Sequence, residues 1–243
     1  MEKMSDPVSA LAVRDAATVI LVRDAPAGVE VLMLRRHPES VFAARAWVFP
    51  GGVVEVADLE AVRMVTGLTD GEASAVLGLP AGGLPFWVAA VRECFEEAGI
   101  LLAGRADGRP FDLSSPWVAN RFARHRRDIH RGRRSLAEVL SAEGLVIDCS
   151  SVHYVSHWIT PPGGTRRFDT RFFVAAAPAG QTVVHDAAEM DDFAWMPPAA
   201  VLEAYRQEEL HLVYPTIKNL EALTGFQRAG DVLAAFGGRS CPT

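Results

Sequence analysis

The stretch Arg92-Glu93-Cys94-Phe95-Glu96-Glu97-Ala98-Gly99-Ile100 decides the reading of this chain. It closes a run, residues 86–98, whose pattern is that of a helix stopped by Gly99. A helix turns by about 100° per residue, so Glu93, Glu96 and Glu97 share one face. Three carboxylates there repel, and like charges four residues apart disfavour a helix. Arg92 can offset part of that repulsion, and a hard divalent cation can offset more. Oxygen donors without Cys or His point to Mg2+ or Mn2+ rather than zinc. Taken alone, E-x-x-E-E is more often a solvated acidic face. Context argues otherwise: Trp87, Val88, Val91, Phe95 and Ala98 make the opposite face apolar and fit to pack on a core. Upstream, Pro50-Gly51-Gly52 is a turn able to bring backbone carbonyls to an ion.

Outward from this helix the pattern alternates strands and helices. Residues 17–22 and 29–34 are apolar runs on either side of Asp24-Ala25-Pro26-Ala27-Gly28, which reads as a β-hairpin. Trp47-Val48-Phe49 is a short strand ahead of the glycine turn. Residues 58–83 read as broken helix, with a capping box at Thr69 and Glu72. Residues 104–150 read as mostly helical, with Ser115-Pro116 opening one helix and a second capping box at Ser135 and Glu138. Residues 154–159, 168–176 and 193–196 read as strands, and the chain is helical from Pro197 on. No repeat or linker divides it, so residues 1–243 are expected to form one domain.

Composition narrows the classes. Hydrophobic residues are 49% and charged residues 22% of the 243, a globular balance that excludes disorder, collagen and coiled coil for the whole chain. Acids outnumber bases 30 to 24, a net −6, which argues against a nucleic-acid coat. No apolar run reaches the roughly 18 residues of a membrane span, and the start does not look like a signal peptide. Cys94, Cys149 and Cys241 are scattered and odd in number, which points to a reducing compartment without disulfides. With an end, Arg239-Ser240-Cys241-Pro242-Thr243, unlike an S-K-L address, the expected location is cytoplasmic.

The residues then reach a known family. Gly52, Asp58 and Arg92 to Ile100 resemble the Nudix box, G-x5-E-x7-R-E-U-x-E-E-x-G-U. Asp58 stands where the box has Glu, and Cys94 stands at a U position. Between Asp58 and Arg92 lie 33 residues instead of 7, an insertion of 26. Such a split box resembles the branch that includes the peroxisomal coenzyme A diphosphatase and its bacterial relatives. Trp47-Val48-Phe49-Pro50-Gly51-Gly52, Trp158-Ile159-Thr160-Pro161, Arg167-Phe168-Asp169-Thr170-Arg171-Phe172-Phe173 and Leu212-Val213-Tyr214-Pro215-Thr216 resemble further strings of that branch.

The resemblance implies an α/β (α+β) Nudix fold: a mixed β-sheet between helices, here with insertions at about 59–85 and 104–150. It implies a Mg2+- or Mn2+-dependent hydrolase that attacks a diphosphate linkage with water. Coenzyme A or acyl-CoA would be cut to 3′,5′-ADP and phosphopantetheine. ADP-ribose, dinucleotides or nucleotide sugars are the alternative substrates, and a non-catalytic Nudix-fold binding module is the second alternative. Glu93, Glu96 and Glu97 are the implied metal ligands, with the Gly52 carbonyl added. Arg92 is implied to orient a box carboxylate, with Asp58 as its partner or as a plain surface acid. The general base is implied to be a box glutamate or a later acid, for which Glu189 is placed ahead of Asp186. Arg166, Arg167 and Phe168 are candidates for holding substrate, or else an exposed cation and a core ring.

Residues 121–134 hold seven arginines and one aspartate, a local +6 in a chain of −6. A phosphate-attracting lid, the contact of a homodimer and a nucleic-acid patch are the functional readings. A solvated helical face is the plain one and leads. The expected partner is a small-molecule diphosphate, with no membrane and no nucleic acid.

Overall fold

A computed structural model describes residues 12–40, 43–107, 109, 111–163, 166–186 and 189–239. Cys241 lies outside them. The strands are β1 (Val13–Ala25), β2 (Gly28–Arg36), β3 (Trp47–Val48), β4 (Gly51–Val53), β5 (Val65–Thr66), β6 (Gly104–Arg105), β7 (Leu145–Asp148), β8 (Val152–Ile159), β9 (Arg167–Ala176) and β10 (Met190–Met196). The helices are α1 (Asp58–Ala61), α2 (Asp70–Leu77), α3 (Leu84–Ala98), α4 (Pro116–His130), α5 (Leu136–Glu143), α6 (Pro198–Arg206), α7 (Tyr214–Leu223) and α8 (Ala229–Phe236).

The main sheet has seven strands in the order β10-β2-β1-β9-β8, with β3 on β2 and β4 on β1. It is mixed, because β1 runs parallel to β9 from Val13 opposite Arg167 to Val22 opposite Ala176. The other pairings are antiparallel. β1 and β2 form the expected hairpin, but only from Val22 opposite Val31 to the turn at Gly28, whose φ of 114° suits glycine. Beyond that point the hairpin forks. β1 pairs with β4 instead, with Ala17 opposite Gly52, while β2 pairs with β3, with Leu34 opposite Val48. The Val19 N–H donates to the Pro50 carbonyl at 2.9 Å across the fork. The Trp-x-Phe-Pro-Gly-Gly string is thus a wedge between two strands of the sheet.

Alternation along β9 sorts the two cores. Phe173 and Ala175 face one cluster with α3, and Phe172 and Val174 face another with α6, α7 and α8. The sheet therefore lies between helices, as expected. α3 has Pro85 in its first turn and ends at Gly99, whose φ is 71°. Trp87, Val88, Val91 and Phe95 are its buried anchors, each contributing about 1.5–3 kcal/mol by removal from water. The Trp87 indole N–H is satisfied by the Val152 carbonyl at 2.9 Å.

The two insertions differ from their sequence reading in one respect. Both capping boxes are present, on α2 and α5, but the insertions are not purely helical. β5 of the first pairs in parallel with β7 of the second, and β6 completes a three-stranded sheet. Strands of two to four residues are too short to show alternation, so pattern alone missed them.

Candidate active site

α3 crosses the sheet. Its first turns lie over β8 and β9, where the Trp87 and Phe173 ring centroids are 4.6 Å apart. Its last turns lie over β4. There the glycines of the wedge have a use: a Cβ on Gly52 would occupy the place of the Glu93 carboxylate, and a Cβ on Gly51 would strike the backbone of Ala17 and Thr18. Glycine at 52 lets the acidic face of the helix approach the strand backbone, and glycine at 51 lets β4 close on β1. The Gly51 N–H donates to Glu97 Oε2 at 3.0 Å.

Arg92 organises the cluster from beneath. It is 4% exposed, and its partner Asp58 is 1% exposed. Arg92 Nε donates to Asp58 Oδ1 at 2.8 Å and Nη2 to Asp58 Oδ2 at 3.1 Å, a forked pairing. Nη2 also reaches the Val53 carbonyl at 2.7 Å. Nη1 holds Glu93 at 2.8 Å and Glu96 at 3.0 Å. Asp58 is thus a buried partner and not a surface acid. It is fixed in turn by the Glu55 N–H at 2.8 Å.

The acids are strained electrostatically. Burial pushes the Glu93 carboxyl up to about 7, against the pull of Arg92 and with added repulsion from Glu96 and Glu189. Burial raises Glu96 as well, again against Arg92. Glu97 is raised well above the ordinary carboxylate range by burial, then by the charge of Glu93, with the Gly51 N–H opposing. Among the described residues, no three acids, histidines or cysteines are placed to hold an ion as they stand. Glu93 and Glu96 are turned to Arg92, and Glu97 to Gly51. The donor set nevertheless fits a hard divalent cation: it is all oxygen, buried at Glu97 and half-buried at Glu93 and Glu96, and mutually repelling.

The loop before β10 is hung on the end of α3. The Val184 N–H donates to the Ala98 carbonyl at 2.9 Å and the Asp186 N–H to the Glu97 carbonyl at 3.0 Å. Glu189 follows, its carbonyl accepting from the His37 N–H at 2.8 Å. Its charge acts on both Glu93 and Glu97, so the loop puts an exposed fourth carboxylate within electrostatic reach of the cluster. Asp186 meets His130 instead, with Oδ2 3.3 Å from Nδ1.

His130 and Arg126 come from the basic stretch, and sequence reasoning missed both. Arg126 Nε donates to the Glu96 carbonyl at 2.7 Å and Nη2 to the Glu97 carbonyl at 3.1 Å, while Nη1 bonds the Val184 carbonyl. The plain reading of residues 121–134 as a solvated face therefore holds for Arg124, Arg127 and Arg131, which are exposed, and fails for Arg126. Nothing in a run of seven arginines marks which one turns inward.

Arg166, Arg167 and Phe168 lie apart from the carboxylates. Arg166 is exposed, and Arg167 Nε donates to the Thr160 carbonyl at 3.0 Å within the β8–β9 hairpin. Arg167 pairs with Val13, four positions along β1 from Ala17, which lies beside Gly52. At about 3.3 Å per residue that is roughly 13 Å along the strand.

A forked mixed sheet, with a box helix laid across a glycine wedge, is the arrangement of a Nudix hydrolase. Residues 68–223 match the family model described as the NUDT19 Nudix domain, and the chain belongs to that family of Nudix hydrolases. An acyl-coenzyme A diphosphatase NUDT19 from Gallus gallus is 30% identical over 265 residues, which cover 90% of this chain and 70% of that protein. Its namesake from Homo sapiens is 30% identical over 236 residues, covering 84% of this chain and 63% of that protein. A crystal structure of a Nudix hydrolase from Alicyclobacillus acidocaldarius superimposes with a TM-score of 0.78 at 30% identity, covering 92% of this chain and 96% of the other.

Proposed function

We propose that this Nudix hydrolase cleaves the diphosphate linkage of coenzyme A or an acyl-CoA, using Mg2+ or Mn2+. The observation that carries the reading is the mutually repelling set of buried Glu97 with half-buried Glu93 and Glu96 against Gly51 and Gly52. The names of the chicken and human relatives support the substrate class.

Glu93, Glu96 and Glu97, with the Gly52 carbonyl, would hold the cation. Bound there, it would neutralise these carboxylates and polarise a phosphoryl oxygen of the substrate. Arg92 keeps Glu93 and Glu96 in place from below, and Asp58 keeps Arg92 from competing for them with its full charge. Glu189 takes a proton from the attacking water. The new bond is between the water oxygen and phosphorus, and the bond from that phosphorus to the bridging oxygen breaks. The products from coenzyme A are 3′,5′-ADP and phosphopantetheine. Arg166, Arg167 and Phe168, at the end of the sheet, take a part of the substrate distant from the reacting phosphorus.

We also read residues 1–243 as one domain with two insertions, since both insertions contribute to the core cluster around α3. Cys94 and Cys149 are buried free thiols, which supports a cytoplasmic location. No helix of the described residues is long and apolar enough to cross a membrane.

The test is a diphosphate panel with Mg2+ or Mn2+, products identified by mass. Release of phosphopantetheine from coenzyme A is expected. Faster turnover of ADP-ribose, a dinucleotide or a nucleotide sugar would overturn the substrate assignment. Full turnover by Glu96→Gln would overturn the site, and no turnover of any diphosphate would favour a binding module.

A further inference from the structure

Helix α4 belongs to the second insertion, yet one of its faces is fastened to two separate parts of the carboxylate cluster. Phe122 docks the helix on the box helix, with its ring centroid 6.3 Å from Phe95 and 4.7 Å from Phe111. Arg126 then spans from the box helix to the loop before β10, through the carbonyls of Glu96, Glu97 and Val184. His130 lies one turn further on the same face. It repeats the span with side chains, its Nδ1 3.8 Å from Glu96 Oε2 and 3.3 Å from Asp186 Oδ2. Among the described residues, the loop is joined to the box helix by two backbone bonds of its own, Val184 to Ala98 and Asp186 to Glu97, and to the end of β2 by the His37 N–H on the Glu189 carbonyl.

We propose that α4 is a strap across the active site, with Arg126 and His130 as positioning residues that fix the loop carrying Asp186 and Glu189 to the helix carrying Glu93, Glu96 and Glu97. The proposal rests on the functional reading above for its consequence, and on contacts within the chain for the strap itself. The planar guanidinium is the part that matters. Its fork meets three carbonyls at once, two of them at the end of a helix, where carbonyls have no partner within the helix and carry partial negative charge. A lysine would keep the charge and hold fewer of them. An ordinary helix cap would add stability and leave the active site as it was. A strap instead sets how closely the fourth carboxylate approaches the other three.

The experiment uses the full chain and compares Arg126→Gln, Arg126→Lys and His130→Gln with a control, Thr69→Ala, which opens the capping box of α2 away from the site. Mn2+ affinity is read from the free-ion electron paramagnetic resonance signal, and amide hydrogen exchange is read residue by residue. Both Arg126 variants are expected to weaken Mn2+ binding by about 10–100-fold, as supporting residues around metal ligands do. The amides of Val184 and Asp186 should exchange faster while those of β1 and β9 do not change. His130→Gln should show a smaller shift of the same sign, and Thr69→Ala none. The proposal is overturned if Arg126→Gln binds Mn2+ within about twofold of the parent, or if its loop amides keep their protection. If Arg126→Gln does not fold, Arg126→Lys decides by the same criteria. Should the parent itself bind no Mn2+, the functional reading fails, and the exchange data alone decide the strap.

Discussion

Replacing Asp58 by asparagine tests the electrostatic logic of the site, because it removes one charge and almost no volume. Asp58 is 1% exposed and holds the Arg92 guanidinium at 2.8 and 3.1 Å. Removing one member of a buried pair costs about 3–5 kcal/mol, because the other charge is left uncompensated. Here Arg92 keeps Glu93 and Glu96, and the asparagine oxygen can still accept one bond, so the lower end applies, about 3 kcal/mol. For a chain of this size each kcal/mol moves Tm by about 2–4 °C, which gives a fall of about 6–12 °C. A second effect follows. With Asp58 neutral, Arg92 draws more strongly on the two glutamates, and a divalent cation must compete with it, so Mn2+ affinity should drop by about tenfold. Calorimetry in EDTA reads the first effect, and a Mn2+ titration reads the second. The pair Asp58→Asn with Arg92→Met should be less damaging than the two single changes added. A Tm within about 1 °C of the parent, or additivity within about 0.5 kcal/mol in the double-mutant cycle, would refute the reasoning.

Three further outcomes follow from the same cluster. Glu97→Gln keeps an acceptor for the Gly51 N–H and removes a repelling buried charge, so Tm in EDTA should rise or hold while diphosphate hydrolysis falls by more than about 100-fold. In the absence of cations the folded chain binds protons at Glu93 up to about 7, whereas an unfolded glutamate releases them near 4.5. The unfolded state then binds fewer protons across that window, so stability falls as pH rises through it. Melts in EDTA across the window should show this slope, Glu93→Gln should reduce it, with Glu96 and Glu97 supplying the remainder, and an unchanged slope in that variant would contradict the assignment. Gly52→Ala forces the Glu93 carboxylate aside, and denaturant melts should show a loss of about 1–3 kcal/mol. Weak Mn2+ binding should accompany it, and normal binding would show that the wedge does not govern Glu93.

The box helix was legible because its chemistry is local. Glu93, Glu96 and Glu97 share a face by helical geometry alone, and Gly99 marks the stop. The hairpin was legible from its apolar runs, but the fork was not. The register at which β1 leaves β2 for β4 depends on the wedge at 47–53, and nothing local to β1 encodes it. Asp58 could be matched by spacing but not shown to be buried, because its burial depends on packing by α5 from the other insertion. Glu189 stood out as an acid in a loop, yet its place is set by backbone bonds from Val184 and Asp186 to α3, and backbone amides carry no sequence signature. Arg126 was invisible for the opposite reason, being chemically identical to six neighbours.

The small sheet made by β5, β7 and β6 ties the two insertions into one unit. Thr66 Oγ1 reaches the Ile147 carbonyl across 81 residues of chain, and Val65 pairs with Ile147. Neither insertion is therefore a cassette that can be removed by itself. Excising 104–150 would strip β5 of its neighbour and take α5 away from α1, which carries the buried Ala61. It would also loosen α1, the helix that delivers Asp58 to Arg92. The order of synthesis carries the same dependence. The box helix emerges from the ribosome well before Leu145, so its arginine waits for a later segment to lock its partner in place. Loss or gain of either insertion over time would have to be matched by the other, or by a new anchor for Asp58.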